Sequence, residues 1–327
     1  MIAFLANRLL HGVIVLIVVS VLAFVLGSVV GDPVASILGL DATPEARGEL
    51  RRRLHLDDPI VLQYLRYLGR IVSGDFGMSY AAQRPVTALF AERLPATIEL
   101  AAAALLLSLA IGVPLGVYAA VRRGSIAATA LLTMSVVGVS VPGFVIGIAL
   151  IFCFSLGLGW LPSFGRGEVV QLGVWTTGLL TASGLKSLLM PAVSLAAGQI
   201  ALVARLTRAE MLTVLRSDYI RFAYARGISD RRVHFGHALR NSLIPIITVS
   251  GIQLGYLVAF AVVVEQVFQW PGMGLLFLQA LGQTDLPVIS AFLMAAAVFF
   301  VGINLAVDLL YALADPRLRV KSQREPT

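Results

Sequence analysis

Residues 208 to 240 decide how this chain is organised. They read Arg208-Ala-Glu-Met-Leu-Thr-Val-Leu-Arg-Ser-Asp-Tyr-Ile-Arg-Phe-Ala-Tyr-Ala-Arg226-Gly227-Ile-Ser-Asp-Arg-Arg-Val-His-Phe-Gly-His-Ala-Leu-Arg240. Apolar residues between positions 211 and 223 recur at helical spacing. Gly227 suits a helix stop, and Ser229 with Asp230 can cap a second helix. The segment therefore predicts two short helices joined at a glycine.

The apolar stripe of this segment lies between arginines, outside any apolar run long enough to cross a bilayer. It must bury itself against the protein's own spans, the membrane surface or a partner. A basic amphipathic helix lying on the membrane is the alternative to a partner. The small residues Ala223, Ala225 and Gly227 offer little grip on lipid but permit close backbone approach, so they favour docking into a rigid cleft.

The chain around this segment is strongly apolar. Of its 327 residues, 58% are hydrophobic and 13% are charged, about half of the roughly 25% charge usual in soluble domains. The net charge of +7 does not indicate nucleic-acid binding, because most arginines lie between apolar runs rather than on one soluble domain. The single cysteine, Cys153, excludes an intrachain disulfide and a cysteine-based metal cluster.

Uncharged runs of at least 18 residues predict helices that cross a membrane. A cleaved signal peptide is the alternative for the first run, but this run is longer than the apolar region of a typical signal peptide. The run from 169 to 185 is rich in polar residues, so we assign it to the membrane interface. The sequence therefore predicts an all-α protein with six transmembrane helices. The predicted spans lie at about 9 to 30, 96 to 121, 126 to 152, 186 to 205, 242 to 264 and 287 to 307.

Charge in the loops predicts the orientation of the spans. Residues 205 to 240 carry eight arginines and three acidic residues, and the tail at 314 to 327 adds four basic ones, so both belong in the cytoplasm. The insert at 31 to 95 balances eight arginines with eight acids and faces outward. Both termini are then cytoplasmic, residues 96 to 313 form a five-helix core, and residues 1 to 30 hold the first span. The tryptophans Trp160, Trp175 and Trp270 fall at the outer interface.

A polar side chain inside a span costs free energy, so its presence there marks a candidate position on a solute path. The alternative for each is a hydrogen bond between helices or a place at the interface. The candidates are Gln199, Gln253, Glu265 and Asn304.

Motifs for chemistry are missing from the sequence. It has no Gly-x-x-x-x-Gly-Lys-Ser/Thr loop for ATP, no His-Glu-x-x-His and no Gly-x-Ser-x-Gly. His234 and His237 share helical spacing in a basic loop, which is more typical of a surface than of a metal site. We therefore expect no catalytic residue and no metal site.

The segment from 208 to 240 resembles the cytoplasmic coupling loop of ABC-importer permeases. Ala223, Ala225 and Gly227 match the small residues and the glycine of that motif, and Phe222 and Leu239 match its hydrophobic positions. The general motif ends in Leu-Pro, whereas this chain has Leu239-Arg240. That departure, followed by Asn-Ser-Leu-Ile-Pro, is similar to the dipeptide and oligopeptide branch of the family.

Other short strings resemble the same branch in the right order along nearly the whole chain. They are Gly31-Asp32-Pro33, Gln63-Tyr64, Gly74-Asp75-Phe76-Gly77, the run from Glu265 to Gly274, and Asp315-Pro316-Arg317.

The resemblance implies a type I ABC importer permease (MetI-like) fold in a bacterial inner membrane, with an extracytoplasmic insert after the first span. Implied partners are a second permease, two ATPase subunits that hold ATP and Mg²⁺, and an extracytoplasmic solute-binding protein. This chain would hold no cofactor. Ion-gradient-driven transport is the alternative function, and the solute stays open among dipeptides, oligopeptides, glutathione, nickel chelates and opines. Implied coupling residues are Tyr219, Phe222, Ala223, Ala225, Arg226, Gly227, Leu239 and Arg240, and candidates for the outer gate or binding-protein contact are Asp75, Trp270, Pro271 and Gly272.

Overall fold

The fold is that of a computed structural model, which describes residues 2–29, 34, 43–53 and 55–314. The motifs at 31 to 33 and 315 to 317 and the rest of the tail lie outside these residues. Two π-helical segments, Ile151–Gly157 and Arg232–Leu239, follow α6 and precede α9, and the strands are β1 Val170–Leu172 and β2 Trp175–Thr177. In chain order the helices are α1 Ile2–Val29, α2 Pro44–Arg53, α3 Ile60–Val72, α4 Val86–Val121, α5 Ile126–Ser140, α6 Gly143–Leu150, α7 Ala182–Leu215, α8 Asp218–Ala225, α9 Arg240–Val267, α10 Met273–Gly282 and α11 Leu286–Ala314.

The all-helical prediction is confirmed, apart from one small hairpin. Within the described residues, five helical stretches are long and apolar enough to cross a membrane. Four of them contain a predicted span and run beyond it, and the first overlaps most of the predicted span at 9 to 30. These five are Ala6–Gly27, Val86–Val121, Ala182–Leu215, Arg232–Val267 and Leu286–Leu309.

Helix α7 occupies the centre of the bundle, in contact with α4, α5, α6 and α9. Close approach of α4 depends on Gly112 and Gly116, one turn apart. A Cβ on Gly116 would lie 2.5 Å from the Ala204 carbonyl oxygen, and one on Gly112 would lie 2.9 Å from the Ile200 carbonyl oxygen. The small residues therefore let two long helices pack backbone to backbone.

The third predicted span is divided into two helices. Helix α5 ends at Ser140 and α6 begins at Gly143, because Pro142 lacks the amide hydrogen that a continuous helix needs. The Ser194 hydroxyl of α7 donates to the Gly143 carbonyl oxygen at 2.7 Å beside this break. No single helix crosses at this point, in contrast to the prediction.

The segment at 169 to 185 was predicted to lie at the interface, and it contains a hairpin. Strands β1 and β2 pair in antiparallel register, with Gln171 opposite Thr176. Helix α7 then begins at Ala182, where the Thr181 side chain accepts the Gly184 amide at 3.0 Å. This helix starts four residues earlier than the predicted fourth span because the threonine cap supplies a start signal.

The insert between α1 and α4 contains the helices α2 and α3. Alternation of apolar and charged residues predicts short amphipathic helices here, with breaks at Pro59 and Gly74. Helix α3 starts after Pro59 and ends before Gly74, which has a φ of 77°. At the far end of the insert, the buried carboxylate of Asp285 accepts the Tyr80 and Ala81 amides at 3.1 and 3.2 Å. These bonds fasten the insert to the turn between α10 and α11.

Candidate functional site

The loop between α7 and α9 has one buried and one exposed face. On α8, Ile220 and Ala223 are buried against Val117 of α4 and Met211 of α7. Phe222, on the opposite face of the same helix, keeps 63% of its surface exposed. The apolar stripe predicted from the sequence therefore packs on the protein's own helices, while a second aromatic surface stays free in this chain.

Gly227 ends α8 in a Schellman arrangement. Its φ is 71°, its amide donates to the Tyr224 carbonyl at 2.9 Å, and the Ile228 amide donates to the Ala223 carbonyl at 3.2 Å. A Cβ on Gly227 would meet nothing within 4 Å. The glycine is thus required by the backbone conformation, and it leaves an open notch on the surface.

Exposed residues around this notch form what we call the coupling surface. The Arg226 guanidinium lies 5.7 Å from the ring centroid of Phe222, and the Asn241 amide donates to the Tyr219 hydroxyl at 2.6 Å. The coupling surface comprises Tyr219, Phe222, Ala225, Arg226 and Gly227.

The remaining predicted coupling residues lie around that surface. Ala223 is buried beneath it, Leu239 is half-buried against the same apolar cluster, and Arg240 is exposed. Phe235 is 57% exposed on the second arm of the loop and was not among the sequence candidates. Phe235 and Phe222 do not follow a helical repeat in the sequence, so the exposure of both rings on the loop is seen only in the structure.

The second arm differs from the prediction of a separate short helix. Residues 232 to 239 form a π-helical segment that continues directly into α9. No break separates this segment from the span, because its residues keep a helical backbone up to Arg240, where α9 begins. Pro245 lies in the second turn of α9 and does not interrupt it. A displacement of this arm is therefore a displacement of the predicted fifth span.

Of the predicted path candidates, the structure brings two together. The Gln253 side-chain amide donates to the Gln199 side-chain oxygen at 3.1 Å, joining α9 to α7. Asn304 lies elsewhere: its amide donates to the Phe300 carbonyl at 2.9 Å, and it lines a groove between α1 and α11. Each member of the glutamine pair is half-buried.

Glu265 forms the centre of what we call the outer corner, named for the side on which the sequence predicts this end of the fifth span. Its carboxylate accepts the Thr97 hydroxyl of α4 at 2.6 Å and the Leu275 amide of α10 at 2.9 Å. The Thr97 hydroxyl oxygen also accepts the Met273 amide at 2.8 Å. Gly272 packs directly on the carboxylate, since a Cβ there would lie 2.2 Å from Oε1. The outer corner therefore binds α9, α10 and α4 together.

The predicted gate residues divide between this corner and the insert. Trp270 is 1% exposed and donates its indole N–H to the Ala96 carbonyl at 2.9 Å, so it faces the protein interior and not the surroundings. Pro271 is half-buried and Gly272 is buried. Asp75 is exposed on the insert and accepts the Gly77 amide at 2.9 Å.

A buried ion pair was missed by the sequence reasoning. Arg166 donates to the Glu99 carboxylate at 2.6 Å, with both side chains at most 6% exposed. The same guanidinium donates to the Thr176 carbonyl at 2.7 Å. A lone acid in the first turn of the predicted second span was the available signal for Glu99. The pair ties the β-hairpin segment to α4.

Among the described residues, no cluster of three or more histidine, cysteine or acidic side chains could hold a metal ion. Besides helix packing, two features stand out among these residues. One is the exposed coupling surface at one end of α7, and the other is the buried polar cluster of the outer corner.

Comparison with known proteins identifies the chain. The family described as "Binding-protein-dependent transport system inner membrane component" matches residues 112–320, more than half of the chain, and its N-terminal counterpart matches residues 1–101. A structure of the MetNI methionine ABC transporter in an inward-facing conformation has a similar fold, with a TM-score of 0.55 and 18% identity over 69% of this chain and 96% of that one.

Relatives of similar length also match along the whole chain. A putative peptide transport system permease protein of Brucella abortus is 40% identical, over 98% of this chain and 99% of that protein. The di/tripeptide transport system permease protein DppB of Pseudomonas aeruginosa is 39% identical over the same shares. The glutathione transport system permease protein GsiC of Salmonella paratyphi A is 35% identical, over 98% of this chain and 100% of that protein.

The fold and the exposed loop thus define a multi-pass membrane transport subunit. The chain belongs to the family of binding-protein-dependent transport system inner membrane components, and its role is that of an ABC-importer permease. This confirms the resemblance drawn from the coupling loop and its companion strings. The comparisons do not support the ion-gradient alternative.

Proposed function

We propose that the chain forms half of a path for peptides or peptide-like solutes through a bacterial inner membrane. The peptide-transport names of relatives at 35 to 40% identity support this class of solute. A second permease would complete the path, and an extracytoplasmic binding protein would deliver the solute. Two ATPase subunits would hold the ATP and Mg²⁺.

The observation that carries the proposal is the two-faced coupling loop. Its exposed aromatic and basic side chains suit a cleft on an ATPase, while its buried residues touch α4 and α7 and its second arm continues into α9. Docking would therefore transmit a rigid-body motion of the ATPase to three membrane helices at once. ATP binding would open the path outward, and hydrolysis would return it inward.

Six crossings are proposed, with α5 and α6 together providing the third. Gly138 of α5 lies near Ala201 of α7, and Gly143 at the start of α6 lies near Ser194, which comes earlier on α7. Gly147 lies near Ser194 and near Phe268, which follows the end of α9. The break at Pro142 thus divides the segment into two helices, and both run in the same direction along α7. Helices α5 and α6 and the π segment together span about 45 Å at ~1.5 Å per residue, enough for one crossing.

An accessibility experiment tests this topology. In a Cys153→Ser background, single cysteines at Gly124 and Gly173 flank α5 and α6 in the sequence, and an added Cβ at either position meets nothing within 4 Å. A membrane-impermeant maleimide added to intact cells should label Gly173→Cys and spare Gly124→Cys until the cells are opened. Labelling of both positions from outside would refute six crossings with cytoplasmic termini.

Reconstitution tests the transport proposal. The chain is purified with its genomic neighbours, placed in liposomes, and assayed for ATP hydrolysis with and without the candidate binding protein and a peptide panel. Stimulation by binding protein loaded with peptide is expected. An absence of a copurifying ATPase, or of any stimulation, would overturn the proposal.

A further inference from the structure

Helix α3 of the insert contacts α1 well inside the membrane-spanning stretch. The Tyr64 hydroxyl lies 2.8 Å from the Ser20 hydroxyl, and the Tyr64 and Tyr67 rings lie 5.5 and 5.6 Å from the ring of Phe24. The spanning stretch of α1 ends at Gly27. Ser20 is therefore about 10 Å below that end, at a rise of ~1.5 Å per residue. Helix α3 is at the depth of the lipid headgroups and upper chains.

The outward face of α3 is apolar, as this depth requires. Val61, Leu65 and Val72 recur at spacings of four and seven residues and are 67%, 56% and 86% exposed. An interfacial helix buries such a face by about 5–10 Å in the boundary between headgroups and acyl chains. Arg66 and Arg70 lie on the opposite side of the helix, where long side chains reach the headgroups.

Between α3 and the α1/α11 pair lies a cavity of about 780 Å³. Its size is within the range of roughly 300–1,000 Å³ typical of small-molecule sites. Its apolar wall comes from two membrane-crossing helices, with the half-buried Phe24 and Gly27 on α1 and Pro287 on α11. Its polar wall comes from the insert.

The polar wall carries a cation and a hydroxyl that have no partner. Arg53 and Arg66 line the cavity but pair with Glu49 and Asp58. Arg70 forms no side-chain bond within the described chain, and the buried Tyr67 hydroxyl also lacks a partner there.

Arg70 follows Tyr67 by three residues on α3, so the two side chains are neighbours on that helix. Burial raises the pKa of Tyr67 to about 12, the neighbouring Tyr64 adds to the rise, and the charge of Arg70 acts in the opposite direction. The same guanidinium opposes the pKa rise that burial and Asp285 cause at Tyr80. A cation and a hydroxyl donor therefore share one region of the cavity.

One carboxylate completes the charge balance. Asp75 lines the same cavity and uses Oδ1 to accept the Gly77 amide, while Oδ2 has no partner in the described part of the chain. Among the described residues that line the cavity, Arg53 pairs with Glu49, and His55 and Arg66 pair with Asp58, so that one positive and one negative group remain. One cation and one carboxylate suit a lipid headgroup that carries both a negative and a positive charge.

We propose that the cavity between α3 and the α1/α11 pair is a binding site for a zwitterionic phospholipid such as phosphatidylethanolamine. Arg70 and the Tyr67 hydroxyl donate to its phosphate, Asp75 accepts from its ammonium group, and α1 and α11 contact its chains. The site depends on the proposed function only in naming the leaflet as the outer one.

Native mass spectrometry tests the site directly. The assembled transporter is released from nanodiscs that contain equal amounts of phosphatidylethanolamine and phosphatidylglycerol, and the retained lipids are counted. Arg70→Gln should lower retained phosphatidylethanolamine at least five-fold, Tyr67→Phe about two-fold, and Asp75→Asn should remove the preference over phosphatidylglycerol. Arg52→Gln is the matched control, because Arg52 is exposed outside the cavity and bonds the Gly48 carbonyl.

Competitors distinguish the lipid from other ligands of similar chemistry. Equal retention in the Arg70 and Arg52 variants would overturn the proposal, as would displacement of the lipid by inorganic phosphate or by dialanine. A spin label at Val61 or Val72 in a Cys153→Ser background gives a second measurement that needs no cavity variant. Strong relaxation by oxygen and weak relaxation by a soluble nickel complex are expected, and the reverse would refute the depth of α3.

Lipid retention requires no transport. A transporter that retains the lipid but imports no peptide would overturn the proposed function alone. One that imports peptide without lipid selectivity would overturn this inference alone.

Discussion

The Glu265 carboxylate accepts the Thr97 hydroxyl at 2.6 Å, although 168 positions separate the two residues in the sequence. This bond and the amide bond from Leu275 hold the end of α9 against α4 and the start of α10. Because a buried carboxyl group requires hydrogen-bond partners, these bonds are a principal connection at the outer corner.

Replacement of Gly272 by alanine should disrupt that corner. The new Cβ would lie 2.2 Å from the Glu265 carboxylate, so the turn must shift, at a cost of about 1–3 kcal/mol. We expect a lower temperature of thermal unfolding for the purified complex. Gly282→Ala, with nothing within 4 Å of its added Cβ, is the control and should leave that temperature unchanged or raise it slightly.

Gly227→Asp should abolish transport while membrane insertion persists. The left-handed backbone disfavours any side chain by about 1–2 kcal/mol, and a carboxylate would occupy the open notch that a docking partner needs. Gly124→Asp is the matched control, since Gly124 has a φ of 83° and equally open surroundings. Uptake and copurification of the ATPase measure the effect. Normal uptake in the Gly227 variant would contradict a coupling role for this turn.

Breaking the Glu99–Arg166 pair should destabilise the outer part of the fold. Removing either partner leaves a buried charge uncompensated, which costs about 3–5 kcal/mol. Replacing both, as Glu99→Leu with Arg166→Met, should recover much of that loss. The exposed Arg84–Glu92 pair serves as the control, and Arg84→Ala should change stability by less than about 1 kcal/mol. Equal losses of stability from breaking either pair would contradict the larger contribution expected of the buried pair.

Gln253→Ala should weaken solute recognition if the glutamine pair lines the path. Loss of an amide hydrogen bond is worth about 1 kcal/mol, so the KM of peptide uptake should rise roughly five-fold with assembly intact. Asn304→Ala is the control, because Asn304 donates to its own helix. If the Asn304 variant shows the larger effect, the path lies on the α1/α11 side instead.

Five of the six predicted spans, the end of α8 and the helices of the insert could be predicted from sequence because each depends on neighbouring residues. Apolar length defines a crossing, and Gly227 ends a helix whatever else surrounds it. The continuity of residues 232 to 239 with α9 could not be predicted, because no local signal separates a short loop helix from the extension of a span. The sequence also showed no reason for Ser194 to meet the Pro142 break.

Composition and apolar run lengths by themselves indicated that this chain resides in a membrane, and the resemblance of its motifs indicated the family of importer permeases. Only the tertiary structure decided which polar groups meet: Glu265 with Thr97, Glu99 with Arg166, and the paired glutamines apart from Asn304. The physical reason is that hydropathy and capping act over a few residues, whereas a buried polar group takes its partner from whichever distant helix packs beside it.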